Sequence, residues 1–267
     1  MAGLFQVLWG KPDGTFRAAE ELKGTDGQPL VIPLGPGEDA WIDCICTRPT
    51  AIDWDADGHL DLVVGNFTGT FYLFKGEGKG RFLPKGELIE TDDGPLKISG
   101  HHSDPFVVDW DNDGDLDVLS GSSEGGVQWA ENVAGRGAAP KLKPFQSLIE
   151  KAETREYGRV LAEADLTGPV MSTRIWVDDL NGDGKLDILV GDLVTLVAPA
   201  KGLSEAELKE KYAAWQKEWD AAVAKLNAAT DAAAKQAANQ RVQDLWPERN
   251  KFLQEEMTGF VWLYLQK

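Results

Sequence analysis

Histidine, cysteine and methionine are scarce in this chain: three, two and three among 267 residues. So few imidazoles leave little material for acid–base catalysis or for a transition-metal centre built on nitrogen. Nor does any run of 18 apolar residues occur, so no transmembrane helix and no membrane insertion are expected. No signal peptide is read either: Met1-Ala2-Gly3 leads straight into a strand-like segment, and the start is expected to be cut. Basic residues are outnumbered, 27 Lys and Arg against 44 Asp and Glu, for a net charge of −17. Nucleic acid and anionic membrane surfaces are therefore excluded as partners. Cys44 and Cys46, two apart, lie on one face of a strand and cannot easily bond each other. They are expected to be small buried residues, with a cysteine partner outside the chain as the alternative.

What the chain has is carboxylate at regular spacing. Asp53-Trp54-Asp55-Ala56-Asp57-Gly58-His59-Leu60-Asp61 is echoed by Asp109-Trp110-Asp111-Asn112-Asp113-Gly114-Asp115-Leu116-Asp117 and by Asp179-Leu180-Asn181-Gly182-Asp183-Gly184-Lys185-Leu186-Asp187. Each runs into an apolar segment ending in Gly65, Gly121 or Gly191. Calcium takes six to eight oxygens at about 2.3–2.6 Å, and alternate residues of a tight loop can turn their carboxylates toward one point. Positions one, three, five and nine supply side-chain oxygens. Position seven, filled by His59, Asp115 or Lys185, needs only its carbonyl, so its residue type is free. The glycine at position six permits the sharp turn. An EF-hand loop closes with Glu at position twelve between helices; here Asp closes at nine and a strand follows.

Around the loops the rest of a repeat is visible. Phe5 to Trp9, a Gly-rich turn and Thr15-Phe16 read as a hairpin. The pattern recurs as Phe71 to Phe74 with Gly76 to Phe82, and more loosely from Val127 to Phe145. Loop-to-loop distances of roughly 56 and 70 residues suit units of four strands. The first unit has the hairpin without the acidic loop. The last has the loop, an insertion, and then Gly259 to Leu265, which resembles Gly69 to Phe74.

The acidic loops resemble the FG-GAP or VCBS repeat, the calcium-loop blade of integrin α-subunit propellers and of many bacterial secreted proteins. The chain as a whole is most similar to VCBS-repeat proteins of planctomycete-type bacteria. The resemblance implies an all-β fold, a β-propeller of about 3.5–4 blades, possibly part of a larger ring; an inserted α-helical hairpin is read from the periodicity of a late stretch. The resemblance implies about three Ca²⁺ sites, with ligands Asp53, Asp55, Asp57 and Asp61; Asp109, Asp111, Asp113 and Asp117; Asp179, Asn181, Asp183 and Asp187. Blades are expected over 1–202 and 258–267. About thirteen strands fall short of a closed four-blade ring, so further blades or a second copy of the chain are expected to complete it.

Over 203–257 the hydrophobic period changes from two to helical. Ser204 and Glu207 form a capping box, and Leu208, Tyr212, Trp215, Trp219 and Leu226 make one seam. A second helix carries Val242, Leu245, Phe252 and Leu253, kinked or restarted at Pro247. Trp54, Trp110 and Trp176, beside the loops, are expected in the core. Three other motifs are read as decoys: Gly121-Ser122-Ser123-Glu124-Gly125 as a hairpin turn instead of a nucleophile elbow, His101-His102-Asp104 as a loop instead of a metal site, and Asn66-Phe67-Thr68 as a glycosylation sequon by pattern only.

The function expected is non-catalytic: an extracellular, periplasmic or cell-surface binding module, stiffened by calcium, whose partner is a protein or a second copy of itself. The alternative is a propeller that binds or cleaves carbohydrate, which would need exposed aromatics beside carboxylates not engaged by calcium.

Overall fold

A computed structural model describes residues 3–35, 40–152 and 159–267. Met1 and Ala2, at the start expected to be cut, lie outside the described residues. The chain divides into two compact units. One comprises Met1–Ala152, Gly168–Asp192 and Phe260–Lys267; the other comprises Glu153–Thr167 and Leu193–Gly259. No helix among the described residues is long and apolar enough to cross a membrane.

The first unit is built from antiparallel sheets. A small ribbon pairs β1 (Gln6–Val7) with β2 (Glu20–Glu21). The first full sheet runs β3 (Arg48–Ile52), β4 (Asp61–Gly65), β5 (Phe71–Phe74), β6 (Glu87–Leu88), each strand beside its neighbour in sequence. A second ribbon, β7 (Glu90–Thr91) with β8 (Gly94–Pro95), follows. The next sheet repeats the order with β9 (Asp104–Val108), β10 (Asp117–Gly121), β11 (Val127–Ala130) and β12 (Gln146–Ile149). In the third, β13 (Met171–Asp178) lies beside the long β14 (Asp187–Pro199). The far half of β14 pairs with β15 (Leu253–Thr258) in the second unit, while within this unit its near half takes β16 (Val261–Tyr264). β16 holds the place of β5 and β11: Gly65 faces Phe71, Gly121 faces Val127 and Gly191 faces Val261.

Sheet faces alternate in contact. β4 and β10 are buried at every position, so they read as apolar runs instead of alternating in and out. One face of the first sheet (Leu62, Val64, Tyr72, Phe74) packs on Phe5, Leu22, Leu30 and Ile32 of the N-terminal segment. Its other face (Val63, Phe71, Leu73) packs on Val107, Val118 and Ala130 of the second sheet. The second sheet's far face, with Leu119 and Val127, packs on Val177, Ile188 and Val190 of the third. Each fully buried side chain of this size contributes roughly 1.5–3 kcal/mol.

One polar device joins successive sheets, and it occurs twice. The Ser103 hydroxyl accepts from the Asn66 amide at 2.8 Å and donates to the Thr70 carbonyl at 2.9 Å. The Thr173 hydroxyl accepts from the Ser122 amide at 2.8 Å and donates to the Gly126 carbonyl at 2.8 Å. The approach is so close that a Cβ on Gly65 would lie 2.4 Å from the Ser103 carbonyl oxygen, and one on Gly121 2.3 Å from that of Thr173. The residue before each hydroxyl is left-handed, His102 at φ 62° and Ser172 at φ 52°.

In the second unit, the far half of β14 and β15 form a two-stranded ribbon, and the chain between them forms α1 (Glu205–Ala228) and α2 (Ala232–Glu248). Ser204 caps α1 with the expected box: its hydroxyl accepts from the Glu207 amide, and Glu207 accepts from the Ser204 amide at 2.8 Å. Leu208, Trp215, Ala222 and Leu245 pack between the helices with Phe252 and Leu253, and the Trp215 indole donates to the Leu245 carbonyl at 2.8 Å. Phe252 and Leu253 are not on the second helix as the periodicity predicts. α2 ends one residue after Pro247, a 3-10 turn over Arg249–Lys251 follows, and Leu253 opens β15. Pro247 sits in the last turn without kinking the helix interior.

Candidate metal centre

Each acidic loop joins the first two strands of a sheet: β3 to β4, β9 to β10, and β13 to β14. The same hydrogen bonds fold all three. At position one, Asp53 accepts from the amides of Asp57 and Gly58, both at 3.0 Å. Asp109 does so with Asp113 and Gly114 at 3.0 Å, and Asp179 with Asp183 and Gly184 at 3.0 and 2.9 Å. At position five, Asp57, Asp113 and Asp183 accept from the amides of His59, Asp115 and Lys185. The glycine at six is left-handed in each copy, at φ 88°, 98° and 86°. Position four is left-handed too, in Ala56 (59°), Asn112 (61°) and Gly182 (78°), a feature that only the Asn and Gly copies signal in sequence.

Position nine differs from the others. Asp61, Asp117 and Asp187 are fully buried. Each carboxylate accepts one amide from its own loop (Trp54, Trp110 or Leu180, all at 3.1 Å). Each also accepts one from just past the third strand: Gly76 at 2.6 Å, Asn132 at 2.7 Å or Gln266 at 3.0 Å. This aspartate clasps loop to sheet while its carboxylate borders the cluster.

In the first loop, carboxylate oxygens of Asp53, Asp55 and Asp61 lie within 4.8 Å of one another; in the second, those of Asp109, Asp111 and Asp113 do. Asp57 and Asp117 stand outside those two groups, and among the described residues the third loop gathers no such set. There the Asn181 amide donates to Asp183 at 3.2 Å, placing a donor where an oxygen ligand is expected. The side chains of His59, Asp115 and Lys185 are not in the clusters, in keeping with a position that needs only its carbonyl.

The two gathered loops carry different fields. Lys75 places its ammonium on Asp55, and that hydrogen bond holds the Asp55 carboxyl below its ordinary range. Among the described residues no lysine or arginine is paired with an acid of the second loop. Burial first, then neighbouring carboxylates, raise Asp111. Asp115 is raised by burial against the pull of the Gly135 amide, and Asp117 is pushed up to about 6, chiefly by burial. Two buried carboxylate oxygens, Asp55 Oδ1 and Asp115 Oδ1, have no hydrogen-bond partner. Crowded oxygen donors with orphaned lone pairs, and no thiolate or imidazole among them, suit a hard divalent cation such as calcium.

The decoys resolve as loops. Ser122 is buried and donates to the Ser99 carbonyl at 3.1 Å, in the turn between β10 and β11. Asp104 pairs with Arg48 at 3.6 Å and Arg174 at 3.5 Å, so its carboxylate is engaged away from the histidines. Asn66 is fully buried with its amide on Thr70, closed to glycosylation in the folded state. Cys44 is buried as expected, but Cys46 is not: the segment is a 3-10 turn over Ala40–Cys44 and not a strand, and Cys46 follows it, left-handed at φ 55° and exposed; both are free thiols. Trp54 and Trp110 enter the core as expected, but Trp176 does not: it is 56% exposed, with its ring edge-on to that of Phe106 at 5.6 Å.

No curated protein and no solved structure matches the chain. Residues 53–120, which hold the first two acidic loops and the sheet between them, match the family model described as the FG-GAP-like repeat.

Proposed function

We propose that the chain is a calcium-stiffened interaction module of the propeller type, acting outside the cytoplasm and catalysing nothing. The observation that carries the cation is the pair of carboxylate clusters, each holding three aspartates within 4.8 Å, with Asp55 Oδ1 buried and unpartnered. Like charges so close are costly unless a cation or a proton joins them. The FG-GAP-like match over the same residues supports the reading. In it, Asp53, Asp55, Asp57 and Asp61, with the His59 carbonyl, hold the first ion. The second loop supplies the equivalent set, and the third loop binds more weakly because of Asn181. A cation there ties the loop to the buried aspartate at position nine and so to two strands at once. Weak sites of this kind load at about 10⁻⁴–10⁻³ M calcium, an extracellular concentration. The radial arrangement is supported by successive four-stranded sheets stacked face to face with one repeated joint.

The test is a melting curve of the full chain with millimolar calcium and with EDTA, beside metal analysis of the purified protein. Calcium raises the midpoint by several degrees, and about two ions per chain bind more tightly than the third. Identical curves in the two buffers remove the cation from the reading.

A further inference from the structure

The two joints give the first and second sheets each a mate on one face, and among the described residues the corresponding face of the third sheet has none. Val63, Phe71 and Leu73 on the first sheet are buried under the second. Leu119 and Val127 on the second are buried under the third. By the shared register, the corresponding residues of the third sheet are Leu189, Val261 and Leu263. Val261 is 72% exposed and Leu263 54%; Trp176 on β13 is 56% exposed, its ring edge-on to that of Phe106 in the second sheet at 5.6 Å. Val261 and Leu263, with the half-buried Leu189 on the same face, form an apolar patch of the kind that marks an interface.

The complementary surface is also present, at the other end of the unit. What covers such a face inside this chain is always the opposite face of a like sheet. On that opposite face the first sheet contributes Phe74 and Phe82, both buried. The N-terminal segment repeats the same pattern, with Leu8 and Phe16 at the corresponding positions, and there they are 53% and 61% exposed. Phe5 and Leu22, on its inner side, are already engaged with the first sheet.

We infer that a second copy of the chain covers the open face, head to tail: Val261 and Leu263 of one copy against Leu8 and Phe16 of the other. Because each copy carries both surfaces, two copies can satisfy each other reciprocally in a closed two-fold ring, leaving neither patch bare. The inference rests on the stacked-sheet part of the proposed function and not on its cation.

The experiment is light scattering on the eluting full-length chain, in calcium and in EDTA, with circular dichroism as the check of folding. The wild type gives twice the 29.1 kDa of one chain. Val261→Asp with Leu263→Asp returns the mass to one chain, and so does Leu8→Asp with Phe16→Asp, both keeping the wild-type spectrum. Should either variant lose its spectrum, Leu263→Ser and Leu8→Ser replace them, each expected to weaken association at least tenfold. A wild type of single mass in both buffers overturns the pairing and leaves calcium-dependent melting untouched. A doubled mass that survives the Leu8 and Phe16 changes but not those at Val261 and Leu263 also overturns it, since the contact is then tail to tail. Doubled mass with melting indifferent to calcium keeps the pairing and discards the cation.

Discussion

Asp113 and Asp61 are both acids of the loops, yet they answer to different forces. Asp113 is exposed, and what it gives the fold is one acceptor for the Asp115 amide, which water can replace. Asp61 is fully buried and holds the amides of Trp54 and Gly76. Asp61→Ala strands both donors, each at about 1–3 kcal/mol. Denaturant unfolding in EDTA therefore shows Asp61→Ala severely destabilised and Asp113→Ala within about 1 kcal/mol of wild type. In calcium, Asp113→Ala loses stabilisation by the ion, and titration finds one site fewer. If the two variants unfolded alike in EDTA, position nine would be a ligand and not a clasp.

Taken as elements, the first two loops have the same backbone and opposite electrostatics. Lys75 partly neutralises the first. At the corresponding place the second has Glu131, whose charge adds to the upward push on Asp111. Asp117, raised chiefly by its burial, prefers its proton up to about 6, against an ordinary value of 3.8. A carboxyl raised in the folded state adds stability that is complete below its unfolded value and is lost as pH climbs through the folded one. In EDTA the melting midpoint thus rises as pH falls from 7 toward 4, with most of the change below about 6. Asp117→Asn flattens that slope. Saturating calcium reverses it, because the ion needs the deprotonated form. A midpoint that fell steadily on acidification in EDTA would refute this balance. The loops were the most legible elements in the sequence, since ligand spacing is a local property repeated three times. Lys75 was not legible as their partner: it lies twenty residues from Asp55 and meets it only because β5 returns alongside β4.

At the scale of the molecule, repeat spacing and the strand-like tail at Val261 foretold the succession of sheets. Two things escaped. Ser103 and Thr173 are single hydroxyls far apart in sequence, and the left-handed turns before them fall on His102 and Ser172, with no glycine to mark them. The end of the second helix was misplaced because Phe252 and Leu253 continue an apolar pattern, which cannot tell a last helical turn from the first residue of a strand. The twin hydroxyl joints carry a further consequence. Since Asn66 meets Ser103 as Ser122 meets Thr173, the halves of the two junctions are interchangeable. Removing residues 66–121 would splice Gly65 onto Ser122, leaving β3, β4, β11 and β12 to assemble as one hybrid layer against Thr173. Such a shortened chain should still unfold cooperatively in calcium, at a lower midpoint. The protein would then be elastic in length: a stack whose storeys can be taken out or added without redrawing the staircase.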